Sequence, residues 1–208
     1  MKQVLVLNHA VADEIIRDRQ KKGIDGHDEV WDGVYIVSPF ASNPHQTIVT
    51  RLTHILCSVI EDEGRGVVHA GANVSDRRGR EWKNSHRTPD AVVVLNGGRA
   101  VDRGTHWFGG PDFLIEVQSP GDETDLKIPF YARIGVRELL VVHRDTRRLR
   151  LFRNDGTDLA PVGPSGLRGQ KWLVSAVVPL AFRRTTAGGR RPRTEVRCTD
   201  GPAGRWVV

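Results

Sequence analysis

Residues 88–118, TPDAVVVLNGGRAVDRGTHWFGGPDFLIEVQ, decide the architecture of this chain. They hold two short unbroken apolar runs, Ala91 to Leu95 and Phe113 to Val117, joined by a Gly-rich loop from Asn96 to Gly110. Runs of this length, rich in β-branched residues, read as strands buried on both faces. Each is marked by an acid: Asp90 opens the first after Pro89, and Glu116 lies late in the second. A third run, Glu138 to His143 (ELLVVH), repeats the pattern.

Upstream, Ile48, Val49, Leu52, Ile55, Leu56, Val59 and Ile60 recur at helical spacing, with Asn43 as candidate N-cap and Pro44 at the first helical position. Val30 to Ser38 places Asp32-Gly33 between apolar arms, a hairpin signal. Residues 9–22 fit a polar helix stopping at Gly23, and Gly66 to Val74 a strand. Residues 122–134 carry a weaker helical pattern ending at Gly135. Pro129 leaves two readings, a helix that starts there or one kinked there. Arg148 to Arg153 alternates as an edge strand does, and Trp172 to Phe182 is strand-like. From Arg183 the chain carries seven Arg against two acids and reads as partly disordered. Strands mixed with helices that precede and follow the acid-bearing strands predict an α/β fold, a mixed central sheet flanked by helices.

The 208 residues are 38% hydrophobic and 27% charged, with mean hydropathy −0.37, which excludes a mainly disordered chain and a multi-span membrane protein. Cys57 and Cys198 stand alone, without zinc spacing, and no signal peptide is read, so a cytoplasmic location is expected. The net charge is +6, and of 31 basic residues only six are Lys. The arginine preference suits phosphate binding, and equally suits a bias of the encoding genome. No phosphate-binding loop, dinucleotide fingerprint or nucleophile elbow is present.

If the two strands are neighbours, Asp90 and Glu116 converge at one end of the sheet, with Gln118 on the same face as Glu116. Paired carboxylates repel unless a cation lies between them, and oxygen ligands suit Mg²⁺ or Mn²⁺. Such a metal polarises a phosphodiester and lowers the pKa of bound water. The alternative is structural: Asp90 ends a loop and Glu116 pairs with an arginine. His45 falls on the packed stripe of its helix, the position of a core histidine.

The segments TPD (88–90), AVVVL, GGPDFLIEVQSP (109–120), Lys127 with Tyr131 four residues on, and ELLVV resemble the PD-(D/E)XK nuclease superfamily. Within it the chain is similar to the bacterial Uma-two-type family, restriction-endonuclease-like proteins. DGVYIVSPFASNPHQTIVTRL matches that family's hairpin, proline loop and His-bearing helix, so the resemblance runs over residues 28–155. It implies a Mg²⁺- or Mn²⁺-dependent endonuclease hydrolysing DNA, with no membrane partner and a homodimer as the family-level expectation. Asp90 and Glu116 would be the metal ligands, joined by a carbonyl near Val117. Gln118 would stand where the superfamily's lysine usually lies, with Lys127 on the next helix in its place. His45 would be accessory, and Tyr131 packed or bonded to phosphate. The implied division is a helical lead-in (1–27), a restriction-endonuclease-like domain (28–182) and an Arg-rich tail (183–208). Gln118 and Pro129 depart from the superfamily pattern, and His143 stands where the family tends to have an acid. Gln118, Pro129 and the Arg-rich tail keep alive a nuclease-fold DNA-binding or accessory protein that does not cut; a hydrolase of another phosphate ester is a third, weaker reading.

Overall fold

A computed structural model describes residues 4–38, 41–163, 171–186, 191–200 and 204–208. The chain opens with β1 (Val4–Val6), α1 (His9–Lys22), β2 (Glu29–Trp31), β3 (Val34–Val37) and α2 (Asn43–Ile60). The middle contributes β4 (Gly66–Ala70), β5 (Val74–Ser75), a short 3-10 turn at Gly79–Asn84, β6 (Ala91–Leu95), β7 (Val101–Asp102), β8 (Trp107–Phe108) and β9 (Phe113–Gln118). Then come α3 (Thr124–Ile134), β10 (Glu138–His143), β11 (Leu149–Asn154), β12 (Leu159–Pro161), β13 (Leu173–Val174), β14 (Leu180–Thr185), β15 (Arg193–Cys198) and β16 (Arg205–Val207).

The centre is a six-stranded sheet in the order β12-β11-β10-β9-β6-β4. Only β9 and β10 run parallel, joined by the crossover helix α3. Side chains alternate between the two faces with period two. Ala91, Val93, Phe113, Ile115, Val117, Leu140 and Val142 pack with the apolar stripe of α2. Val92, Val94, Leu114, Leu139 and Val141 pack with Phe130, Tyr131 and Ala132 of α3. Each such Val, Ile or Leu contributes about 1.5–3 kcal/mol on burial. This parity puts Glu116 on the α3 face, beside Leu114.

The hairpin forms as read. Asp32 and Gly33 take φ of 48° and 89°, the left-handed turn that tolerates Asp and Gly between twisted strands. β1 adds to β3, and Arg19 of α1 pairs with Asp28, so the segment before residue 28 is tied to the hairpin. Helix α2 begins at Asn43, with Ser42 rather than Asn43 at the cap position. Pro129 lies inside α3 without ending it, and Gly135 closes the helix in the left-handed conformation.

Three expectations need correction. Residues 148–153 do not form an edge strand: β11 is covered on its outer side by the three-residue β12. Its outward arginines are ion-paired instead, Arg150 with Asp125 and Arg153 with Glu138. The stretch after Arg183 is not a disordered tail among the described residues. It completes a four-stranded sheet, β13-β14-β15-β16, whose Leu180, Phe182, Val196 and Val208 join the α2 core. Dense arginine hid a period-two pattern, and Glu195 is ion-paired with Arg183 and Arg205. The charged loop 75–88 and the Gly-rich loop are partly ordered too, since β5 and β8 pair in parallel. Pro39, Arg190 and most of the Pro/Gly-rich stretch at 164–170 lie outside the described residues.

Candidate active site

Asp90, Glu116 and Lys127, far apart in sequence, line one cleft of about 410 Å³ together with Glu29, His45, Thr88, Ser119, Asp122 and Arg144. The sheet explains the meeting. Asp90 immediately precedes β6, which runs antiparallel to β9, so it arrives at the end of β9 where Glu116 lies. Glu116 points to the α3 face, and Lys127 and Tyr131, four residues apart, present one side of α3 to it.

Asp90 is held on both oxygens. His45 Nε2 lies 2.9 Å from Oδ1, and the Val117 N–H donates to Oδ2 at 2.6 Å. The Asp90 side chain remains 22% exposed, so it faces the cleft. Glu116 is 4% exposed. Lys127 Nζ donates to its two oxygens at 3.1 and 3.3 Å, and the Tyr131 hydroxyl donates to Oε1 at 2.5 Å. Tyr131 itself is wholly buried, so it packs and orients Glu116. His45 is the buried, bonded histidine expected on position, and its partner is the cleft's Asp90. Pro129 does not displace Lys127. Gln118 is not brought in: its Oε1 accepts from Arg150 at 3.2 Å.

A further residue emerges from the fold, Glu29 of β2. It is 2% exposed, and its Oε1 accepts from Lys127 Nζ and from the Thr88 N–H, each at 2.8 Å. Trp31 Nε1 donates to Oε2 at 2.6 Å. Lys127 therefore lies between two carboxylates. The available signal was an acid inside an apolar hairpin arm, the same anomaly that marks Glu116. Arg87 stacks behind this group on Trp31 and Phe130, its guanidinium 5.0 and 4.2 Å from the ring centroids.

Burial pushes the Glu116 carboxyl up to about 8; Lys127 pulls it down, Asp90 and Glu29 push it further up, and the Tyr131 hydrogen bond opposes them. Burial alone would lower the Lys127 pKa, but Glu116 and Glu29 together hold it above the usual lysine value. The cluster thus carries more negative charge than its one ammonium offsets. The sign for stability follows from linkage. Between the ordinary Glu value and about 8 the unfolded chain has released a proton that folded Glu116 keeps. Stability is therefore lost as pH rises through that window. Relative to Glu116→Gln, the metal-free wild type should lose a few kcal/mol between about pH 5 and about pH 8. Urea titrations of both proteins check this, and a pH-independent difference would contradict it.

The donor set suits a hard divalent cation. Mg²⁺ takes one or two carboxylates and keeps several waters. Among the described residues, no group of three or more His, Cys, Asp or Glu side chains is placed to hold a metal. Asp90 and Glu116, which meet in the cleft, are the two acids that could hold one. No helix among these residues is long and apolar enough to cross a membrane.

Among solved structures, the chain is similar to a "putative nuclease belonging to DUF820 from Anabaena variabilis ATCC 29413". The TM-score is 0.56 at 15% identity, over 72% of this chain and 82% of that one. That likeness is one of fold, the restriction-endonuclease-like sheet flanked by helices. No curated protein matches the chain. The family model Uma2, described as "Putative restriction endonuclease", matches residues 20–187. With most of its length matched, and with the acids and lysine that carried the resemblance gathered in one cleft, the chain belongs to the Uma2 family.

Proposed function

We propose that the cleft hydrolyses phosphodiester bonds in DNA with a bound divalent metal. The observation that carries this reading is the convergence of Asp90, Glu116 and Lys127 from three separate elements around a carboxylate cluster short of positive charge. Asp90 and Glu116 would hold Mg²⁺ or Mn²⁺, which supplies polarisation of the phosphodiester and a lowered pKa for bound water. His45 and the Val117 N–H fix the two oxygens of Asp90, and Tyr131 fixes Glu116. Lys127, clamped by Glu29, keeps a protonated ammonium where negative charge would build up on the phosphoryl oxygens.

Nicking of supercoiled plasmid in Mg²⁺ or Mn²⁺, absent in chelator, tests the reading. A protein that binds DNA and never nicks it would support an accessory role instead. A second readout does not depend on turnover. Mn²⁺ should raise the melting temperature of wild type, because it binds the folded state. Asp90→Asn, relieved of part of the repulsion, should melt at or above wild type in chelator and gain less from Mn²⁺. Equal gains in both proteins would end the assignment of Asp90 as a ligand.

A further inference from the structure

The turn joining β10 to β11, Arg144-Asp145-Thr146-Arg147-Arg148, borders the cleft. Arg144 is the hinge between the two: it lines the cleft, donates from Nη1 to Ser42 Oγ at 3.2 Å, and pairs with Asp145 through Nε and Nη2 at 2.8 and 3.0 Å. That fork uses up the turn's only acid.

Three residues on, Arg147 has φ of 54°, a left-handed conformation that a side chain of this size rarely adopts. It is imposed by local hydrogen bonds. The Arg147 N–H donates to the His143 carbonyl at 2.9 Å, and His143 Nδ1 accepts from the N–H groups of Asp145 and Thr146, both at 3.2 Å. His143 thus shapes the turn. The Arg147 side chain is half-buried, and its Nη1, itself buried, has no hydrogen-bond partner. Backbone strain of this kind is kept where it serves a site.

Two more arginines converge on the turn from other elements. Arg184 of β14 donates from Nε to the Thr146 carbonyl at 2.8 Å. Arg51 of α2 is near enough to repel Arg147: burial lowers the Arg147 pKa, Asp145 raises it, and Arg51 lowers it again. Among the described residues, none of Arg51, Arg147 and Arg184 makes an ion pair. Three guanidiniums without an ion pair, beside one spent carboxylate, form a surface that favours an anion. The planar fork of arginine matches phosphate oxygens.

We infer that this turn grips a backbone phosphate of duplex DNA, one flanking the phosphodiester in the cleft, with Arg147, Arg51 and Arg184 neutralising it. The choice of DNA rests on the nuclease reading; the site rests on the strained turn and the arginines without an ion pair. Arg144 makes the surface continuous with the cleft, so a duplex held here presents its neighbouring phosphodiester to Asp90 and Glu116.

Fluorescence anisotropy with a short labelled duplex, in chelator so that nothing is cut, reads the contact. Arg147→Asn removes the charge and keeps a residue that tolerates the left-handed backbone. Arg51→Gln changes only an exposed helix position. Each should weaken binding roughly tenfold and flatten the slope of log affinity against log salt by about one. Arg17→Gln, an exposed charge on α1, should leave both readouts unchanged. Affinity and slope at wild-type values in Arg147→Asn and Arg51→Gln would overturn the inference, and so would an equal loss in Arg17→Gln. If Arg147→Asn melts early, Arg51→Gln decides alone. Wild type that binds the duplex with these arginine effects but never nicks plasmid leaves the clamp standing and removes the nuclease reading. Wild type that fails to bind even at low salt removes both.

Discussion

Glu116→Gln should reduce metal-dependent plasmid nicking roughly a thousandfold while leaving the protein folded. The substitution keeps the shape of the side chain and an oxygen for the Tyr131 hydroxyl and Lys127, both of which donate to Glu116. It removes the negative charge a cation needs. It also removes a charge that the fold holds at a cost, since burial, Asp90 and Glu29 all oppose ionisation there. Metal-free Glu116→Gln should therefore melt no lower than wild type at about pH 8, where that cost is greatest. Activity and stability move in opposite directions, which separates a lost ligand from a damaged scaffold. Nicking rates and melting curves on the same preparations give both readings. Nicking within a few-fold of wild type would remove Glu116 from the metal site.

How much of this was legible depends on which interactions are local. The central strands were read closely because a buried strand is a short apolar run whatever its partners; β6 and β10 begin and end where their apolar runs do. Asp90 and Glu116 stood out because a carboxylate beside or inside such a run needs a reason. Their meeting depends on β6 and β9 being antiparallel neighbours, which spacing alone leaves open. Glu29 was passed over because the signal it gives, an acid in an apolar hairpin arm, does not name its partner, and Lys127 is 98 residues away. The C-terminal sheet was misread for a related reason. Its arginines are offset by Glu195 and stacked on Trp172, so charge density that reads as solvation in a sequence becomes pairing in the fold. Gln118 shows the converse. It shares a strand face with Glu116, yet Arg150 on β11 draws it aside, and strand parity does not foresee that.

Lys127→Met should destabilise the fold by about 3–5 kcal/mol, the usual cost of removing one partner from a buried ionic group. Lys127 is 4% exposed and donates to both Glu29 and Glu116. Methionine fills a similar volume, so lost packing contributes little. What remains is two buried carboxylates with no cation between them. The chain can escape part of the penalty by protonating one of them, as paired carboxylates do. The loss should therefore be smaller near pH 5 and larger near pH 8, where both acids are driven to ionise. A second substitution should recover much of the loss: Lys127→Met with Glu29→Gln leaves Glu116 as the one buried acid of the pair, and Tyr131 still bonds it. Urea unfolding of wild type, the single variant and the double variant at the two pH values measures this. A penalty under about 1 kcal/mol, or one that does not grow with pH, would mean that water already shields the cluster. The charge imbalance on which the metal site is argued would then be absent.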